Sequence, residues 1–428
     1  MDLEQVLELA LRCGAEAAEI YQSTSRSRPV FFEANRLKQL ESSQAEGVAL
    51  RLWRRGRPGV AVGYGPVEPQ VLVDKAIALS ELNDPETVCL AANWQQSLVD
   101  GGEPVEPEHL IAWGQGAIAQ VREQFPEVLC SGEWSSSLET SRLINSQGLD
   151  LSHCDCTLSS TLEADWMRGD DFLAVYDSQI SRESLPPCDL ARAILQRLAW
   201  SQENVAARSG RVPVLLTPKA TDLLWDIPRL ALSGRQVVEQ ASPWSNQRGS
   251  LVAIQSLSLS QDPTQGPYST PFDDEGLATQ SLSLIQQGQL QQFYTDQRTG
   301  EQLGTGSTGN GMRPDLGSSP LPGLVNLLVS PGTQTTAELI RKLDRGLILD
   351  QVLGGGGSIA GDFSVNVDLG FWVEGGEIRG RVKDAMLAGN AYEALKQIAA
   401  LGSELEWQGS TYTPAVLVDG LSLTTRTA

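Results

Sequence analysis

The chain has 428 residues, 41% of them hydrophobic and 20% charged, with six cysteines and a formal net charge of -21. That length gives room for two or three domains around a large core, the balance is that of an ordinary globular protein, and the sparse cysteines exclude a disulfide scaffold. The acidic surface repels phosphate backbones and anionic membranes, no run reaches about 18 apolar residues, and the start, MDLEQVLELALRCG, lacks a basic segment before an apolar one; no nucleic-acid or membrane partner and a cytoplasmic location are expected.

In chain order, Leu3, Val6, Leu7, Ala10 and Leu11 recur at helical spacing behind Asp2 as a cap. From Ala17 to Gly63 the pattern turns to strands, AEIYQST, PVFFEANRLKQLESS and GVALRLWRRGRPGVAVGYG, and VEPQVLVDKAIALSEL predicts a helix over one face of their sheet. A polar, Pro-containing connector follows from Asn83. A second unit opens with a helix around His109 to Phe125, continues as strands, and ends in a helix from Leu190 to Trp200 with Asp189 as cap. After Ser209 and Gly210, VPVLLTPKATDLLWDIPRLALSG reads as a buried strand, Thr217 as an N-cap, Pro218 at the first helical position and an apolar helix running toward Gly234. A capping pattern from Thr335 to Glu338 predicts a later helix, and a last one falls near Gly389 to Leu401. The expected class is α+β: N-terminal helix-plus-antiparallel-sheet units at 1–82 and 107–209, a linker at 83–106, and a larger strand-rich α+β C-terminal domain at 210–428.

Several stretches could carry chemistry. SHCDC at Ser152 to Cys156 joins a histidine to two cysteines, but on a strand His153 points to one face and Cys154 and Cys156 to the other, so one ion cannot use all three. His109, the other histidine, falls on a helix surface. The run Gly354 to Gly357 lacks a following Gly-Lys-Ser/Thr and a preceding strand, so it reads as a turn into a strand near Ser358 rather than a phosphate cradle. PFDDEG sets Asp273, Asp274 and Glu275 in a row, a charge density for a hard cation or a basic peptide terminus; adjacent side chains diverge, so the favoured reading is a solvated loop or a cap. TGSTGNGMR, with Asn310 and ending in Arg313, allows positive φ and close backbone approach, and fits either the lining of a peptide or carboxylate site or a tight surface turn.

Together PFDDEG, STGNGMR, LVNLLVSPG, IAGDFSVNVDLGFWVEGGEIRG, MLAGNAYEAL and TPAVLVDGLSL resemble the TldD/PmbA family, also called modulators of DNA gyrase. GAEAAEIY and EGVALRLWRRGRPGVAVGYG resemble that family's opening. The resemblance implies a cytosolic proteolytic system in which a TldD-type subunit carries zinc on an HExxxH helix with a cysteine near its C-terminus, while a PmbA/TldE-type subunit carries no metal. At the matching positions this chain has Trp225 and Leu230 for the histidines and Asp226 for the glutamate, and its last cysteine is Cys188. A catalytic zinc needs three protein ligands and an open position; indole and leucine offer no lone pair, and Pro228 removes a helix hydrogen bond. The expectation is therefore a non-catalytic chain with no metal and no cofactor of its own, paired with a zinc-bearing TldD-type subunit or with itself, and acting on unfolded or small peptides. Asp273, Asp274, Glu275, Asn310, Arg313 and Asp362 are its candidates for lining a peptide cleft or facing a partner. The alternative is a homodimeric peptide-binding or scaffold protein without peptidase activity.

Overall fold

Two sheets carry the architecture of the computed structural model, which describes residues 1–92, 94–99, 103–354 and 357–426. The first is built from β1 (Ala17–Glu33), β2 (Arg36–Leu40), β3 (Ser43–Arg54), β4 (Arg57–Tyr64), β5 (Gln95–Val99), β6 (Leu129–Asn145), β7 (Asp150–Arg168) and β8 (Asp171–Ser181). AEIYQST and PVFFE, expected as separate strands, run through as the single strand β1. It pairs antiparallel with β3 on one side and, from Glu19 to Phe32, with β6 on the other. The two N-terminal units thus share one sheet. The connector is not wholly irregular either, since β5 lies parallel to β7.

The long strands bury their ends and leave their middles open. In β1, Ala17 to Ile20 and Val30 to Phe32 are the largely buried parts, and the polar segment between them is only partly covered. Helices α1 (Leu3–Arg12) and α2 (Pro69–Ser80) cover one end, closing a core of Leu3, Val6, Ile20, Leu50, Leu72 and Ile144. Helices α3 (Pro107–Gln124) and α4 (Pro187–Trp200) cover the other, over Phe32, Trp134, Leu158 and Leu162. The expected caps hold at Asp2, which accepts from the Gln5 N–H at 3.2 Å, and at Thr335, whose capping box with Glu338 is complete. Helix α4 starts at Pro187, earlier than expected, so Asp189 sits in its first turn instead of capping it.

In the C-terminal part, strand Gly210–Leu216 pairs in parallel with Arg345–Leu353, which pairs with Asp362–Glu374, then Ala385–Asn390, then Thr411–Thr425. Thr411–Thr425 pairs again with Gly210–Leu216, so these strands close on themselves and leave no open edge between them. The expected last helix is limited to Ala391–Lys396, because Ile398, Leu401 and their neighbours enter a strand, Ile398–Gln408, along Thr411–Thr425. Of the glycine run, Gly355 and Gly356 lie outside the described residues; a strand, Arg345–Leu353, precedes the run where none was expected, and the strand after it begins at Asp362 rather than near Ser358.

The core under α3 and α4 also takes Leu215, Ile348, Leu369, Phe371 and Leu417 from the C-terminal strands. The central unit and the C-terminal domain therefore share apolar packing. Ion pairs cross the same boundary: Arg197 on α4 holds Asp177 on β8 and Asp350 on strand Arg345–Leu353, each at 2.7 Å.

Candidate functional site

The helix predicted after Val212 divides in two. Thr217 precedes a single tight turn, Pro218–Ala220, and the α-helix proper, α5, is Asp222–Ala231. Thr221 joins them, its hydroxyl donating to the Pro218 carbonyl at 2.7 Å. The positions that match the family's metal-binding helix all fall on α5. Trp225 is fully buried in the C-terminal core, and its indole N–H donates to Thr413 Oγ1 at 2.9 Å. Leu230 is 40% exposed. Asp226 lies at the surface one turn from Asp222, whose carboxyl is pushed up to about 6 by partial burial and then by the charge of Asp226. A zinc ion does not fit this arrangement. The only nitrogen at the histidine positions is a committed donor, Asp226 supplies oxygen alone, and among the described residues no group of three His, Cys, Asp or Glu side chains could hold a metal. Cys188 is on α4 and exposed.

The other candidates gather where the first sheet meets the C-terminal part. PFDDEG is not the solvated loop expected from its charge. Asp273 is 1% exposed and accepts three backbone N–H groups, from Glu275 at 3.1 Å, Leu277 at 2.8 Å and Gly311 at 2.9 Å. Burial outweighs those bonds and pushes its carboxyl up to about 7. Asp274 accepts the Arg313 N–H at 2.7 Å, and burial raises it as well. Glu275 turns the other way and accepts the Gln297 N–H at 2.8 Å.

STGNGMR folds inward against this loop and is no surface turn. Asn310 is fully buried, donating from Nδ2 to Gln261 Oε1 at 2.8 Å and the Gly323 carbonyl at 2.7 Å. Arg313 reaches Glu19 of β1 at 2.5 Å, and Arg51 of β3 reaches the same carboxylate at 2.9 Å. Burial alone would raise Glu19, but the two guanidinium groups prevail and hold it below the usual range. The Arg313 charge is thus spent on a carboxylate of this chain. Asp362 stands apart, exposed at a strand start, where Asn390 Nδ2 donates to it at 3.0 Å.

Because consecutive side chains diverge, the acidic loop serves two clefts. Asp274 lines one of about 510 Å³ together with Tyr21, Thr140, His153 and Phe272, against the hydroxyl-rich middle of β1, β6 and β7. His153, Asp155 and Thr157 line it at alternate positions of β7 while Cys156 is buried, as strand alternation predicts. Its walls offer hydroxyl and aromatic groups. Glu275 lines a separate cavity of about 550 Å³. The sequence reading missed Glu19, Arg51 and Thr413, each of which matters only through a partner far along the chain.

Residues 209–425 match the model of the PmbA/TldA metallopeptidase C-terminal domain, and residues 18–80 that of PmbA/TldA metallopeptidase domain 1. The chain is 30% identical over 245 residues to the metalloprotease PmbA homolog of Haemophilus influenzae, covering 54% of this chain and 52% of that one, so this match spans about half of the relative. It is 22% identical to the metalloprotease PmbA of Escherichia coli O157:H7 over 98% of this chain and 96% of that one. The crystal structure of TldE from Thermococcus kodakarensis shares the fold, with a TM-score of 0.89, 23% identity and 99% of both chains covered. By its strand-rich α+β architecture and by the domain models it matches, this chain belongs to the PmbA/TldD metallopeptidase family.

Proposed function

We propose that this chain is the non-catalytic, PmbA/TldE-type subunit of a zinc-dependent peptidase of the cytosol, with the metal in a TldD-type partner that carries HExxxH. One observation carries the reading: the metal-binding positions of α5 hold a buried, hydrogen-bonded indole, a short carboxylate and a leucine. The α5 backbone points the same way. Pro228 lies inside the helix and takes away one of its hydrogen bonds. A paired related subunit supplies the metal, and this chain supplies half of a trough that takes unfolded or small peptides in extended form, with the cleft of Tyr21, His153 and Phe272 as its part.

The test uses the full chain, alone and mixed with a TldD-type chain from the same genome. Expected results are no stoichiometric zinc and no cleavage of unfolded casein by the chain alone, and co-elution with raised proteolysis after mixing. About one tightly bound zinc per chain would overturn the reading, as would partner activity indifferent to this chain. A stable self-pair that ignores the partner would favour a homodimeric binding protein.

A further inference from the structure

Strand β8 is an edge of the first sheet, pairing with β7 alone in unbroken register from Asp171 to Ser181. Part of its outward backbone is closed by side chains that stand in for a missing strand. Gln351 accepts the Tyr176 N–H at 3.1 Å and donates to the Ala174 carbonyl at 3.3 Å, and Lys219 Nζ donates to the Tyr176 carbonyl. By the two-residue period, Ser178 and Ile180 turn their N–H and carbonyl groups the same way. The Ser178 N–H is taken by Asp177 Oδ1 at 2.8 Å. Among the described residues nothing takes the Ser178 carbonyl or either backbone group of Ile180. At that point a cleft of about 580 Å³ opens over Leu190, Ala193 and Gln196 of α4, and residues 177–181 and 405–408 line it as unbroken runs. A sheet face would contribute every second residue, so unbroken runs mean that strand edges look into the cleft. The second edge belongs to the strand Ile398–Gln408, which pairs there only with Thr411–Thr425. Two free edges from different sheets thus border one cavity.

From this geometry we infer that the cleft is a strand-addition site, which takes one extended peptide segment and hydrogen-bonds its backbone to the open end of the β8 edge. Pairing of this kind draws affinity from main-chain groups, which every sequence carries, and selectivity from the walls that meet alternate side chains. Trp407 offers an aromatic wall. Asp177 and Asp189 are held by Arg197 at 2.7 Å and Arg192 at 3.1 Å, whereas Glu406 is exposed and has no ion pair among the described residues, so it suits a lysine or arginine of the peptide. A cleft bordered on both sides admits a single strand and not the edge of a second folded copy. Ile180 also lines the cleft of Tyr21, His153 and Phe272, so the two clefts adjoin. The inference rests on the peptide-binding part of the proposed function and is independent of where the metal lies.

The probe is a fluorescent peptide of about ten residues in which valine alternates with lysine or threonine, long enough to span the edge, and anisotropy on the full chain reads its binding. Saturable binding is expected. It should weaken at least about tenfold when every backbone nitrogen of the peptide is methylated, and by a similar factor in Ile180→Pro, which removes an outward N–H and leaves the β7 ladder intact. Glu406→Lys should weaken it by a smaller factor. Hydrogen exchange on the unaltered chain needs no variant, and bound peptide should slow exchange in residues 177–181. Equal binding of the methylated peptide, affinity unchanged in a folded Ile180→Pro chain, or unaltered exchange at 177–181 with peptide bound would each overturn the site while leaving peptide binding elsewhere. No binding of the peptide, with or without a TldD-type chain, would overturn both the site and the peptide-binding reading. Protection of 177–181 that grows with protein concentration in the absence of peptide would give the edge to a second copy and overturn the site. Peptide binding with the expected signatures, in a chain that ignores the TldD-type partner, would uphold the site and remove the subunit reading.

Discussion

Single side chains decide what α5 can do. An indole with its N–H bound to Thr413 at 2.9 Å is a core residue, and its place in the packing is incompatible with metal ligation. Trp225→Ala should cost about 3–5 kcal/mol, from lost burial and the cavity left behind, as read from urea unfolding. The acidic loop gives a second residue-scale test, through pH. Glu275 has a folded-state value of about 8, above the roughly 4.3 of an exposed glutamate. Between those limits the folded chain holds a proton that the unfolded chain releases. The contribution of Glu275 is therefore fully present below the unfolded value and is lost as pH rises through the folded one. Glu275→Gln should flatten the fall in melting temperature across that window, and an unchanged slope would contradict the burial of this carboxylate.

Among the elements, close backbone approach sets where α2 lies on the first sheet. Gly59 in β4 faces α2 so closely that a Cβ would stand 2.0 Å from the Ala76 carbonyl and 2.8 Å from the Ser80 nitrogen. Gly59→Ala should lift α2 from the sheet and destabilise by about 1–3 kcal/mol, measured by urea unfolding. The Thr335 cap is exposed and local by comparison. Its replacement by Ala should cost about 1 kcal/mol in the same measurement, leaving the rest of the fold unchanged. Helix starts of this kind were readable in advance, because a cap and its N–H partner lie within one turn. Helix α4 starts three residues before the position its pattern predicts, because consecutive prolines, Pro186 and Pro187, open it without a side-chain cap.

For the molecule as a whole, the shared core and the buried ion pairs bind the first sheet to the closed C-terminal strands. Arg197 is one of these ties, holding two carboxylates from different sheets at 2.7 Å each. Arg197→Ala leaves Asp177 and Asp350 buried and uncompensated, and should cost about 3–5 kcal/mol in urea unfolding. A loss well below that would mean this ion-pair cluster contributes little to holding the two parts together.

By itself the sequence determined the α+β class, the helix starts at Asp2 and Thr335, the alternation that separates His153 from Cys156, and the lack of imidazole on α5. All of these depend on residue type or on neighbours a few positions away. Tertiary structure alone decided that β1 joins β6 across more than a hundred residues, that PFDDEG is buried, and that Arg313 serves Glu19. Those outcomes depend on which distant groups arrive to desolvate or pair with a side chain, and a run of carboxylates reads the same in water as in a core until its partners are in place.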